Sequence, residues 1–149
     1  MIKSKLVSLF AAAAVLGAAG TAIAAEYKVQ MLNKSAQGTM VFEPGVLKIK
    51  VGDTVRFQPV DKGHNAEMIP GAVPAGVVLA KGATNQELVV KFTKPGIYAF
   101  RCQPHFGMGM VALIQVGDGK VNRAAVEAAL AKAPPLAKKR FAAEFLKLG

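Results

Sequence analysis

The chain has 149 residues, 52% of them hydrophobic, and a formal charge of +10. That length holds one domain with a substantial core and not comfortably two. The positive balance suits acidic partners or anionic surfaces, but no basic tract is interleaved with stacking aromatics, which argues against nucleic acid.

Residues 1–24 read as a cleaved secretory signal. Lys3 and Lys5 form a positive n-region, residues 6–16 are apolar apart from Ser8, and Ala22-Ile23-Ala24 is a small-x-small cleavage pattern. The apolar run is short for an anchor, since a spanning helix needs about 20 apolar residues. The mature chain then begins at Ala25 or Glu26 and carries 17 basic against 9 acidic residues, or +8. The small, Ala-rich signal points to the bacterial periplasm.

Short strands follow, at 27–32, 39–43, 46–51, 54–59, 87–93, 96–102 and 110–116. Several alternate by twos: Leu47, Ile49 and Val51 share one face while Lys48 and Lys50 share the other. Glu43-Pro44-Gly45, Val51-Gly52-Asp53, Lys94-Pro95-Gly96 and Gly117-Asp118-Gly119 are turns. Seven strands at this spacing indicate a mainly β domain, a sandwich or barrel over about 25–118. Residues 63–85 have no period and read as a long connection. Asn122 is placed to cap a helix to about 131, and Pro134-Pro135 ends it. A second helix covers 136–148, with Ala137, Phe141, Phe145 and Leu148 on its packing stripe and Lys138, Lys139 and Glu144 elsewhere. The whole of 25–149 reads as a single domain.

The chemistry lies in two loops. The chain has one cysteine, Cys102, in Cys102-Gln103-Pro104-His105-Phe106-Gly107-Met108-Gly109-Met110, and its other histidine, His64, is in Lys62-Gly63-His64-Asn65. A lone cysteine in an exported protein cannot make an internal disulfide and needs another reason to be there. Cys-x2-His-x4-Met, with a second His 38 residues earlier, supplies two imidazoles, a thiolate and a thioether. Imidazole suits oxidised copper and sulfur suits reduced copper, so a His2Cys set with a weak axial Met holds one ion in both states. Each residue alone has a plainer reading as a turn or packing residue; the combination is what points to one copper ion cycling between Cu2+ and Cu+. Met108 also fits an axial position at a shorter spacing, so loop length leaves Met108 and Met110 both open.

With these segments in view, and with Met31-Leu32-Asn33-Lys34, Met40-Val41-Phe42-Glu43-Pro44 and Gly52-Asp53-Thr54-Val55 beside them, the chain resembles the cupredoxins, and among them the pseudoazurin family. The resemblance spans essentially the whole mature chain, the two C-terminal helices included. It implies a Greek-key β-sandwich, a type 1 (blue) copper held by His64, Cys102, His105 and Met110, and Asn65 joining the two ligand loops. It further implies a periplasmic, monomeric electron carrier and not an enzyme. Such a carrier serves denitrification by passing electrons to an acidic partner such as copper nitrite reductase, and accepts them from a respiratory-chain cytochrome. The implied exit is the edge of His105, ringed by Pro104, Phe106, Gly107 and Met108, with Lys34, Lys62, Lys81 and Arg101 around that patch. Residues 67–76 depart from the family pattern, with Pro70, Gly71 and Ala72 in place of polar residues.

Three other readings compete. A thiol enzyme with Cys102 as nucleophile leaves the Met and one His idle. A copper chaperone or store favours exposed, labile ligands. An amicyanin-like carrier serving a dehydrogenase would use the shorter His-to-Met spacing.

Overall fold

In a computed structural model, residues 23–149 are described; almost all of the proposed signal segment lies outside them. Eight strands form two four-stranded sheets. The strands are β1 (Glu26–Ser35), β2 (Gly38–Glu43), β3 (Val46–Ile49), β4 (Thr54–Pro59), β5 (Glu67–Met68), β6 (Leu88–Lys91), β7 (Gly96–Arg101) and β8 (Val111–Val116). One sheet runs β2-β1-β4-β6 and the other β3-β8-β7-β5. Both are mixed: β1 lies parallel to β4 and β3 parallel to β8, while the remaining pairs are antiparallel. The helices α1 (Arg123–Leu130) and α2 (Pro135–Leu148) follow. The expected sandwich with two C-terminal helices is therefore what the chain forms. Among the described residues no helix is long and apolar enough to cross a membrane.

The core has two layers, and together they position the chemistry. Between the sheets pack Val29, Met31, Phe42, Phe57, Phe92 and Phe100, with the Phe57 and Phe100 rings 4.5 Å apart. On the outer face of the second sheet, Ile97, Ala99, Val111 and Leu113 meet Val126, Leu130, Ala137 and Phe141 of the helices. Strand β7 is thus buried on both faces. Side chains alternate across a strand, so Tyr98, Phe100 and the following Cys102 point between the sheets. The same parity sends Met110, Ala112 and Ile114 into that layer. Two sulfur side chains from adjacent strands therefore arrive at one end of the inner core, both with 0% exposure.

Several boundaries differ from the sequence reading. Residues 63–85 are not without structure: β5 pairs with β7, and Glu67 makes an isolated bridge to Lys81. The apolar residues of 67–76 have a use, because Ile69 and Ala72 join the helix-facing core. Val51 is 51% exposed instead of sharing the buried face of Ile49, because β3 ends before the turn that Asp53 fixes by accepting the Lys50 and Ala25 amides at 2.8 and 2.9 Å. Glu144 is buried, paired with Lys147 at 2.6 Å, and not on the open face of α2.

Asn122 occupies the expected N-cap position but does not cap with its side chain. It faces β7 instead: Oδ1 accepts the Ile97 amide at 2.7 Å and Nδ2 donates to the Ile97 carbonyl at 2.9 Å. The approach is close enough that a Cβ at Gly96 would lie 2.8 Å from Asn122 Oδ1, and Gly96 has φ +132°, so only glycine fits there. Asn122→Ala should leave both buried Ile97 groups unpaired and cost about 1–3 kcal/mol. Denaturant unfolding measures this, and the metal site at the other end of β7 should be unchanged. A loss below about 0.5 kcal/mol would mean that the clamp is dispensable.

Candidate metal centre

The loop from β7 to β8 closes on itself. The Cys102 amide donates to the Met110 carbonyl at 3.0 Å, and the Met110 and Gly109 amides donate to His105 and Phe106 at 3.2 and 3.0 Å. Residues Gln103–Met108 form a 3-10 turn with Pro104 in its first turn, and Gly109, at φ 84°, ends it in the left-handed region. A Cβ at Gly109 would stand 3.1 Å from the Leu136 carbonyl, so both conformation and space call for glycine. The turn swings His105 back over Cys102. His64 reaches the same place from the loop that follows β4.

Three potential donor atoms meet there. His64 Nδ1 and His105 Nδ1 are 3.1 Å apart, and Cys102 Sγ lies 3.7 and 3.5 Å from them. The circle through points with these separations has a radius of about 2.0 Å, close to the metal–imidazole distances of roughly 2.0–2.1 Å and a little short of the metal–thiolate distance of ~2.3 Å known for zinc. The residues therefore fit a metal ion. Among the described residues this is the one group of three or more His, Cys, Asp or Glu side chains gathered so tightly. Met110 is fully buried beside Cys102 in the inner core, whereas Met108 is 48% exposed. Of the two candidate axial residues, only Met110 is on the inner face.

Hydrogen bonds fix the set. His64 Nε2 lies 2.9 Å from Asn33 Oδ1; the acceptor makes Nε2 the protonated nitrogen and leaves the Nδ1 lone pair free. Asn65 Oδ1 accepts the Gln103 amide at 2.7 Å, and its Nδ2 donates to the Gly82 carbonyl at 3.1 Å. Asn65 thus ties the His64 loop to the Cys102 loop. The role of Asn33 was not legible in the sequence, because it depends on a contact 31 residues away that leaves no local period. Glu67 was missed too. It is a buried carboxylate bonded to Arg101 at 2.8 Å and to Asn65 at 3.3 Å.

The surroundings separate an open edge from a dry interior. His64, Cys102 and Asn65 are buried, while His105 is half-buried and borders exposed Pro104, Gly107 and Met108 and half-buried Phe106. Lys34 and Lys62 are exposed and have no acidic partner among the described residues. Lys81 and Arg101 straddle Glu67, at 3.8 and 2.7 Å, so that carboxylate offsets part of their charge. Arg101 also lies over the Phe106 ring, 5.2 Å from its centroid.

Burial pushes the Cys102 thiol up, against the smaller lowering effect of backbone N–H groups of Asn65 and His105. Burial, and then the neighbouring His105, pushes His64 down. At neutral pH the metal-free site therefore holds a protonated thiol and a neutral His64. A raised, buried thiol is the reverse of an activated nucleophile. Metal binding needs the thiolate and so must release that proton. Titration of the metal-free protein with Zn2+, a redox-inert probe, should release about one proton per ion at pH 7, and affinity should rise with pH. A weakly buffered dye assay reads this; no release would contradict the thiolate's part in binding.

The comparisons with known proteins agree. Residues 29–117 match the family described as copper binding proteins, plastocyanin/azurin family. A pseudoazurin of Paracoccus pantotrophus is 46% identical over 134 residues, covering 90% of this chain and 91% of that one. The crystal structure of pseudoazurin from Methylobacterium extorquens AM1 superposes with a TM-score of 0.79 at 44% identity, covering 83% of this chain and 99% of that one. An amicyanin variant in its Cu(I) form reaches a TM-score of 0.50 at 26% identity over 62% of this chain and 82% of its own, so the shorter-loop carrier is the poorer match. The chain belongs to the plastocyanin/azurin family of copper-binding proteins and, within it, to the pseudoazurins: electron carriers, not enzymes, that work through one type 1 copper ion.

Proposed function

We propose that His64, Cys102, His105 and Met110 hold the copper, and that the protein is a periplasmic carrier delivering single electrons to a terminal reductase such as copper nitrite reductase in denitrification. The observation that carries the ligand assignment is the triangle of His64 Nδ1, His105 Nδ1 and Cys102 Sγ, 3.1 to 3.7 Å on a side, with Met110 buried beside it. Copper supplies the one-electron couple, and the protein supplies a coordination shell that changes little between oxidation states. His64, with its Nε2 held by Asn33, anchors the dry side. His105, half-exposed, is the route outward. Burial of three of the four ligands speaks against a chaperone or store, which must release its metal.

Export rests on the sequence of residues 1–24, and an acidic partner on the charge of +8 left after its removal. We assign the docking face to Pro104, Phe106, Gly107 and Met108 around His105, with Lys34 and Lys62 as free charges and Lys81 and Arg101 as charges shared with Glu67. An apolar centre allows close approach, and solvated lysines steer the encounter without making a long-lived complex. A respiratory cytochrome would load the same edge.

Cys102→Ser should abolish the intense visible absorption yet leave the sandwich folded, since the thiolate bond is the most covalent in the site. Retained colour in that variant would sink the ligand assignment. Met110→Leu should raise the reduction potential by removing the weak axial donor that favours oxidised copper, and Met108→Leu should do much less; the reverse order would exchange their roles. Electron transfer to a purified copper nitrite reductase should fall as salt rises, because the Debye length is about 8 Å at physiological ionic strength and steering contributes ~10-fold or more to the on-rate. Lys34→Glu combined with Lys62→Glu should slow the low-salt rate and flatten its salt dependence, leaving the spectrum alone. A rate indifferent to salt and to both lysines would remove steering from the account.

A further inference from the structure

Glu67 has 3% exposure and lies between the metal site and the charged face. Its Oε1 accepts Arg101 Nε at 2.8 Å and pairs with Nη2 at 2.7 Å. Its Oε2 accepts Asn65 Nδ2 at 3.3 Å and lies 3.8 Å from Lys81 Nζ. Every group facing this carboxylate is a donor. The Asn65 amide is surrounded in a matching way: its two N–H bonds go to Glu67 and to the Gly82 carbonyl, and its oxygen takes the Gln103 amide next to Cys102. That orientation is the join between the loops carrying His64 and Cys102.

We propose that Glu67 is a positioning residue for the metal site: an acceptor-only side chain that sets which way the Asn65 amide faces, and that links the join to the Arg101 and Lys81 charges of the docking face. The inference rests on the ligand assignment above. The chemistry requires a carboxylate. A carboxamide at position 67 has one acceptor oxygen and one donor nitrogen. The oxygen would turn to the Arg101 cation, which leaves NH2 against the Asn65 NH2. Relief by turning Asn65 over would set its NH2 against the Gln103 amide, again donor against donor. Either outcome loosens the join between the two loops. Glu67→Gln also removes a buried negative charge near the copper, which favours the reduced ion.

The test uses the full copper-loaded protein and reads visible absorption, EPR and reduction potential together. Glu67→Gln should change the intensity ratio of the visible bands and the EPR shape and move the potential upward. Glu67→Asp keeps the charge and the acceptor-only character with one methylene fewer; it should give a smaller spectral change without the upward shift, and it serves if the Gln variant does not fold. Arg101→Gln keeps the carboxylate on Asn65, so its spectral change should be smaller than that of Glu67→Gln. Wild-type spectra and potential in both position-67 variants, with only a lowered unfolding midpoint, would overturn the proposal and reduce Glu67 to a structural ion pair. A spectral change in Arg101→Gln equal to that of Glu67→Gln would overturn it as well, because the cation would then be the cause. Failure of the ligand assignment is distinguishable from both, since it would appear as the absence of a type 1 spectrum in the wild type.

Discussion

Two imidazole nitrogens and one sulfur stand 3.1 to 3.7 Å apart in a corner that is buried on the His64 and Cys102 side and open at His105. Nothing in their own chemistry draws them together. The two nitrogens can share at most one proton, and burial works against a charge on either His64 or Cys102. The surrounding fold must hold the arrangement. Strand parity aims Cys102 and Met110 into the inner core, the Cys102–Met110 backbone bond closes the loop, and Asn65 and Asn33 lock the distant His64 onto it. Most of the remaining architecture supports that arrangement. The helices cover the outer face of β7 and β8, so both strands can be buried on two sides and their ends kept rigid.

A carrier must also let electrons out, and the same geometry divides the two tasks. His64 is sealed and His105 is not. On the proposed docking face, the rim of Pro104, Phe106 and Met108 would let a partner close, with exposed Lys34 and Lys62 as the solvated charges and Arg101 held against Glu67 and Phe106. The four basic positions are not equivalent: Lys34 and Lys62 present whole charges, and Glu67 offsets part of the charge of Lys81 and Arg101.

Much of this was legible in the sequence because it is local. Alternation in residues 54–59 and 46–49, Pro-Gly and Gly-Asp turns, and the helical stripe through Phe141 and Phe145 each follow from neighbours a few positions apart. The cysteine and histidine donors were legible because they are so few, one and two in the whole chain; spacing left Met108 and Met110 both open, and it is the burial of Met110 that separates them. What escaped depends on contacts across the fold. The two-residue strand β5 is too short to show a period and exists because β7 offers it an edge. Asn122 looked like a helix cap, and only the approach of β7 diverts its side chain to Ile97. Glu144 is the exception: its spacing from Ala137 and Phe141 already puts it on the packing side of α2, and its charge, not its position, kept it off the expected stripe. Asn33 and Glu67 act through partners 31 and 34 residues away, a distance at which pattern carries no signal.

If the protein builds the site and the metal merely fills it, the ligands stay in place whatever the metal's state. Crystal structures of the metal-free, Cu(I) and Cu(II) forms test this most directly. His64 Nδ1, His105 Nδ1 and Cys102 Sγ should keep their positions within about 0.5 Å across all three, with the Asn33 and Asn65 side-chain bonds and the Cys102–Met110 backbone bond intact. A His64 or His105 ring turned out of the site in the metal-free form, or a Cys102–Met110 loop rebuilt on reduction, would contradict it.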